Sequence, residues 1–365
     1  MKHSIMITFG RWLFGLCLFS TVSFAEQDGF HPGQVWPDNN GVHINAHGGG
    51  FLFQNGTYYW FGEHKIAGGA GNYAHVGVHC YSSKDLYHWK DEGVAFAVSH
   101  DPASEITEGC ILERPKVIYN AKTKKYVMWF HLELHGKGYA AARCGLAVSD
   151  SVTGPYAYLK SLRPDAGQWP VGVQDWEKKG SLARDLSGGQ MARDMTLFQD
   201  DDGKAYLICS SEDNRTMHIC ELTDDYLGFT GKYWRAFVDW LSEAPAIFKY
   251  QGKYYFIGSG CSGWAPNAAK SAVADFIMGP WKSMENPCRG TPYQNKTTFD
   301  SQSTYVLPVA DKPCAFIFVA DRWNPGNAID GRYVWLPLSF ENGKPVIKWL
   351  PEWDLSVFNT SLTGN

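Results

Sequence analysis

"RDMTLFQDDDGKAYLICSS", residues 193–211, sets four aspartates, Asp194, Asp200, Asp201 and Asp202, within nine positions around an apolar run. The Asp-Asp-Asp-Gly tetrapeptide at 200–203 stands where two β-rich runs must reverse. Asp and Gly suit that place because they tolerate turn dihedrals and bond locally. A calcium loop of the EF-hand kind needs ligands at alternating positions and a later Glu in a helical setting, whereas "DDDGKAYLI" runs straight into a strand pattern. The triplet therefore reads as solvent-facing turn residues. Asp194, ahead of the apolar "MTLF", reads as a side chain at the mouth of a strand.

The same texture occurs four more times: "NGTYYWFGEH" from Asn55, "TKKYVMWFHLE" from Thr123, "QGKYYFIGSG" from Gln251 and "DKPCAFIFVAD" from Asp311. A polar turn followed by an apolar, aromatic run predicts a hairpin whose second strand is buried. Apolar strands precede four of the five, in "GGGFLF", "PKVIYN", "DMTLFQ" and "APAIFKY", while "YSSKDLYHWK", "AVSDSVTGPYAY" and "AVADFIMGPWKS" read as outer strands. One hairpin recurring five times, with no sustained helical periodicity, predicts an all-β, five-bladed β-propeller. A TIM barrel fits less well, because helices between the strands are missing.

The chain of 365 residues opens on "MKHSIMITFGRWLFGLCLFSTVSFAEQDG", in which basic residues precede an apolar run and small residues stand at Ser23 and Ala25. This reads as a secretory signal peptide, residues 1–25, leaving residues 26–365 as the propeller and implying a secreted or periplasmic protein. No later stretch approaches about 20 uninterrupted apolar residues, so no membrane span is expected. A net charge of −4 without a basic cluster excludes nucleic acid as a partner. Fifteen Trp and nineteen Tyr beside 38 Gly suit a turn-rich β protein, the rings either filling the core or offering flat faces to sugars. Nine cysteines, Cys17 among them, show no C-x-x-C spacing, which argues against zinc and against a disulfide framework. Cys209 and Cys220 flank a predicted hairpin and are placed to pair. Asn55, Asn214, Asn295 and Asn359 begin glycosylation sequons, and a monomer is expected.

Two further carboxylates repeat the placement of Asp194: Glu113 in "ILERPKVIYN" and Glu243 in "LSEAPAIFKY". In a propeller the inner strands line one channel, so three acids from three blades make a convergent site. The plainer reading is that each is a loop acid, or is paired with Arg114 or Arg193. Carboxylates in an aromatic channel suit glycoside hydrolysis, which needs one acid to protonate the leaving oxygen and a group opposite to activate water. A neighbouring anion keeps such an acid protonated near neutrality.

"ARDMTLFQDDDGKAYL" and "SEAPAIFKYQGKYYFIGS", with the five hairpins, resemble glycoside hydrolase family 43, the inverting five-bladed propeller enzymes. The resemblance implies Glu243 as general acid and Asp194 as the modulator of its pKa. Most of that family carries its general base, an Asp, on the first inner strand, where this chain has Ala46 and His47. The departure matches the exo-β-1,3-galactanase subgroup, to which "AHGGG", "YYWFGE", "ERPKVIYN", "SGCSGWAPN" and "DSQSTYV" are similar. There a Gln on the fifth blade takes the base's place, which implies Gln302. An amide oxygen can orient water but needs a relay to remove a proton fully, so Glu113 stays open as an alternative base.

The resemblance further implies Glu113, Glu63, Tyr139, Trp264 and Asn267 as substrate contacts, with His47 either a contact or a buried histidine near the axis. Arg322 and Trp323 would close the channel. No cofactor is required. A structural calcium is compatible with the fold, although no ligand set in the sequence argues for it. The expected activity is release of galactose from the β-1,3-galactan backbone of arabinogalactan, so the expected partner is a polysaccharide or oligosaccharide. An α-L-arabinofuranosidase or β-galactofuranosidase of the same family, and a sugar-binding propeller without catalysis, are the alternatives.

Overall fold

The computed structural model describes Met1 and residues 28–359. Five antiparallel sheets, each with its strands in chain order, form five blades, and the last also gains the short strand Cys288–Arg289, parallel to Lys344–Lys348. The first strand of each blade is innermost: His47–Gln54, Ile111–Asn120, Met195–Gln199, Ser242–Tyr250 and Gln302–Pro308. Successive members of this set touch, and the fifth returns to the first, so they enclose a central axis. The expected five-bladed propeller is the observed fold. The expected signal peptide lies outside the described residues, and among those described no helix is long and apolar enough to cross a membrane.

Each hairpin predicted from its turn chemistry is present, with second strands Thr57–Lys65, Lys125–Glu133, Ala205–Ser211, Lys253–Gly260 and Phe316–Arg322. The aspartate turn differs from expectation in one member. Asp201 and Asp202 are exposed, but Asp200 turns toward the next blade, where it accepts from Lys249 Nζ (2.7 Å) and Tyr254 Oη (2.5 Å). A carboxylate at a hairpin tip thus ties the third blade to the fourth.

Cys209 and Cys220 do not pair; both are free and buried. The ladder sets Cys209 opposite His218 and Leu207 opposite Cys220, so the two cysteines are diagonal neighbours. Diagonal positions stand about 7–8 Å apart, beyond the usual reach of a disulfide.

The ring closes through aromatic side chains. Phe30 and Trp353 exchange backbone hydrogen bonds (2.7 and 3.1 Å) and their rings stack at 4.2 Å. Around them Trp36, Trp60, Trp89, Tyr333 and Trp335 form one buried cluster between the first and fifth blades. For these rings the core-filling reading holds. Replacing Trp335, 1% exposed, with alanine is expected to destabilise the fold by about 3–5 kcal/mol in denaturant unfolding. Alanine at Trp176, 71% exposed, should change stability by no more than about 0.5 kcal/mol.

Candidate active site

The site follows from how the inner strands begin. Their pairing slips between His47 and Gly50, Glu113 and Lys116, Glu243 and Ala246, and Ser303 and Tyr305. Each slip is a β-bulge, which places extra residue length against its partner strand and re-aims a side chain. Gly48 (φ 59°), Arg114 (φ 53°) and Ala244 (φ 56°) hold left-handed conformations within these bulges. At Gly48 the conformation and the space both require glycine, since a Cβ would lie 2.3 Å from Glu63 Oε1. One recurring irregularity thus gathers residues of separate blades at one end of the axis.

They line a pocket of about 320 Å³ that includes Glu63, Glu113, Arg114, Tyr139, Asp194, Asn214, Glu243, Trp264, Gln302 and Trp323. The three acids expected to converge do so, and Asp194 is also paired with Arg114, so both readings of that acid hold together. The buried Arg114 is the hub. Its Nε meets Asp194 Oδ2 at 3.0 Å, its Nη2 donates to Gln302 Oε1 at 2.6 Å, and its Nη1 donates to the Ser303 carbonyl at 3.0 Å. Asp194 Oδ2 also accepts from the Ala244 amide at 3.0 Å, which fixes the carboxylate beside the strand that carries Glu243.

Glu243 is altered in the direction a general acid needs: its pKa is pushed up to about 7 by burial, then by the Asp194 charge, against the opposing pull of Arg114. Asn214 Nδ2 donates to its Oε1 at 2.7 Å. The amide of a predicted sequon is therefore turned into the pocket, where it orients the carboxyl.

Gln302 is held at both ends of its amide. Arginine has no acceptor, so the amide oxygen must face Arg114, and Nε2 donates to Ser259 Oγ at 2.9 Å. The oxygen keeps one lone pair for a water.

Glu113 is differently placed. Its Oε2 lies 2.8 Å from His131 Nδ1, and its Oε1 accepts from Tyr139 Oη at 2.8 Å. His131 Nε2 lies 3.0 Å from Glu133, so the imidazole sits between two carboxylates and its pKa rises to about 10 despite burial. Burial alone would raise Glu113, but the His131 hydrogen bond and charge outweigh it and hold the pKa down to about 2. Such a carboxylate is a poor proton acceptor near neutrality and a good hydrogen-bond acceptor for a hydroxyl.

The remaining expected contacts divide. Tyr139, also accepting from Asn72 Nδ2, and the half-exposed Trp264 line the pocket. Trp323 stands edge-on to Trp264 at 5.9 Å and under the ammonium of Lys65 at 4.8 Å. Glu63 forms part of the floor, with Oε1 bonded to the Arg114 amide and Oε2 3.0 Å from Lys65 Nζ. Asn267 lines an adjoining cavity rather than this pocket, with its amide bonded to Gly260 and Ser262 in its own loop. His47 does not line this pocket and follows the buried reading: it is 1% exposed, packed between Trp323 and Tyr333, with its pKa lowered by burial. Arg322 braces the carbonyls of Phe299 and Asp300.

Sequence reasoning missed the central role of Arg114, the roles of His131 and Asn214, and the buried Asp321. The alternation in "FHLE" was a signal, because His131 stands opposite Glu113 in the ladder. Glu113, His131 and Asp194 also place potential metal-ligand atoms within 4.8 Å of one another. Both His131 nitrogens are already engaged by the Glu113 and Glu133 carboxylates.

The family model for glycosyl hydrolases family 43 matches residues 51–307. The chain belongs to that family. A solved family 43 β-1,3-galactosidase with galactodeoxynojirimycin is 50% identical, with a TM-score of 0.86, covering 89% of this chain and 100% of its own. An exo-β-1,3-galactanase from Clostridium thermocellum is 35% identical with a TM-score of 0.75, covering 88% of this chain and 66% of that one. Among curated proteins, a β-D-galactofuranosidase from Aspergillus niger is 29% identical over 129 residues, 33% of this chain. The match spans only 37% of that relative's length. The family assignment makes the chain a glycoside hydrolase, consistent with paired carboxyls in a pocket at the propeller axis.

The raised pKa of Glu243 has a consequence for stability. The folded state holds this proton more tightly than the unfolded chain, so its contribution is present below the ordinary value of 4.5 and is lost as pH rises through about 7. Glu243→Gln is therefore expected to raise the melting temperature at pH 8 relative to wild type, and to do so less at pH 5. Asp194→Asn removes the neighbouring anion and should lower the Glu243 pKa, measured by NMR titration of its carboxyl carbon.

Proposed function

We propose that this enzyme is an exported, inverting exo-β-1,3-galactanase that removes galactose from the non-reducing end of β-1,3-galactan, the backbone of arabinogalactan. The observation that carries the reading is the joint placement of Glu243, Asp194 and Gln302 around Arg114, with no carboxylate at Ala46 or His47. The similarity to a β-1,3-galactosidase over its full length supports the substrate class. The basic and apolar opening of the chain supports export.

Glu243, protonated up to about neutral pH, gives its proton to the glycosidic oxygen as that bond breaks. The Asp194 charge keeps the proton on Glu243 until the leaving oxygen develops negative charge. Gln302 uses its remaining lone pair to orient the water that attacks from the opposite face, which inverts the anomeric centre. Glu113, anchored by His131 and Tyr139, accepts hydrogen bonds from sugar hydroxyls, and Trp264 and Trp323 supply apolar ring faces. The furanosidase similarity keeps a furanoside substrate as the second reading, in which Glu113 would be the base. Its engagement at both oxygens weighs against that role.

The deciding experiment is product analysis on linear β-1,3-galactan by NMR. Wild type is expected to release α-configured galactose, and Glu243→Gln and Gln302→Ala to lose at least about a hundredfold in rate, roughly 2.7 kcal/mol of transition-state stabilisation. Activity retained in Gln302→Ala but lost in Glu113→Gln would move the water-activating role to Glu113. Turnover of arabinofuranosides or galactofuranosides without turnover of galactan would replace the substrate.

A further inference from the structure

The attacking water must lose a proton, and Gln302, a neutral amide whose oxygen is already bonded to a guanidinium, cannot keep it. A carboxylate stands next to it. Asp321, the last residue of the fifth hairpin segment, lies directly opposite Gln302 in the fifth blade's ladder, so their side chains share a face. It is 1% exposed; Oδ2 accepts from the Gly48 amide at 2.5 Å, while Oδ1 has no hydrogen-bond partner among the described residues. Leaving a buried carboxylate oxygen unpaired costs free energy unless water or a proton satisfies it.

A second cavity, of about 210 Å³, is lined by Asp321 and by Gly263, Trp264, Gln302 and Trp323, four residues that also wall the main pocket. It therefore adjoins the pocket alongside Gln302 and has room for water. The other acid in its wall, Asp300, already accepts from Tyr293 Oη at 2.7 Å. Asp321 also takes up a position left open by the sequence. The Gly48 amide that it binds belongs to "AHGGG", where the usual family 43 base is missing, so a carboxylate from the fifth blade reaches the start of the first inner strand.

We propose that Asp321 receives, through water in the adjoining cavity, the proton that Gln302 cannot hold. The inference rests on the galactanase reading of the pocket. As the attacking oxygen bonds to the anomeric carbon, one of its O–H bonds breaks and the proton passes to a cavity water, which delivers one of its own to Asp321 Oδ1. On the other face Glu243 protonates the departing oxygen as the glycosidic electron pair moves onto it. Asp321 ends protonated and Glu243 ionised, and exchange with solvent restores both. Asp321 acts through water and does not touch the sugar.

Its environment suits the task. The charged and titratable groups facing Asp321 are Arg114 and Lys116 of the second inner strand, Glu63 of the first blade and Tyr333 on the neighbouring strand of its own blade; Arg322 and Asp300 complete the cavity wall. Burial raises its pKa to about 7, opposed by the Gly48 hydrogen bond and the Arg114 charge. The ionised form needed to take a proton is thus lost as pH falls below neutrality.

The test uses an aryl β-galactoside with a nitrophenolate leaving group, which needs no proton from Glu243. Asp321→Asn keeps the shape and an acceptor for the Gly48 amide. It is expected to lose about a hundredfold or more in kcat with little change in KM, and to lose the acidic limb of its pH profile, while Glu243→Gln is largely spared on this substrate. If Asp321→Asn does not fold, wild type decides the matter in H₂O/D₂O mixtures: a bowed proton inventory is expected when two protons move, whereas a linear one overturns the relay. A folded Asp321→Asn with wild-type rate, or with a reduced rate but an unchanged pH profile, also overturns it. A wild type inactive on both galactan and the aryl galactoside overturns the galactanase reading and this inference with it.

Discussion

Everything at the mouth of the propeller depends on one buried cation. Arg114 brings a positive charge to the axis, where Asp194, Gln302 and Ser303 of two other blades close on it. Without it, Asp194 would be a carboxylate removed from water with no counter-charge, at a cost of several kcal/mol. The left-handed backbone at Arg114 also aims its amide at Glu63, so the same residue organises the floor from main chain and the centre from side chain. Its five donors have a fixed planar spread, which is why one arginine can set the mutual orientation of groups from several blades.

The two faces of the site are tuned by different means. Around Glu243, burial and one neighbouring anion favour the neutral acid. Around Glu113, a charged imidazole held by a second carboxylate favours the anion. Two glutamates at equivalent bulges therefore carry opposite protonation near neutral pH, so one can give a proton while the other only accepts hydrogen bonds. The division of labour comes from neighbours, because the residue type is the same.

The sequence made the architecture legible because hairpin turns are local: Asn55-Gly56 and Gln251-Gly252 turn wherever they are placed. The three acids were legible because each stands at or just before the start of an inner strand, ahead of its apolar run. Partnerships that cross blades were not legible, since nothing local to Asn214 announces Glu243, and nothing local to Asp321 announces Gly48. Bulges escaped notice for a related reason, as Glu113-Arg114 and Glu243-Ala244 have no glycine to mark a left-handed residue. The burial of His47 and the loop-bound amide of Asn267 were not legible either, because a polar side chain beside a pocket motif can be spent on packing or on its own loop. The inward turn of Asp200 depends on Lys249 and Tyr254, 49 and 54 positions away in another blade.

The aromatic seam between the first and last blades gives the tryptophan-rich composition a meaning in chain entropy. Contacts inside a blade join near neighbours, whereas the seam joins residues such as Ile44 and Tyr333, 289 positions apart. Each doubling of loop length adds about 0.6 kcal/mol to closure, so sealing the ring costs about 4 kcal/mol more than turning a hairpin. Burying a large apolar side chain contributes about 1.5–3 kcal/mol, so two or three rings offset that difference. The bulkiest side chains are concentrated where the longest loop must be held shut.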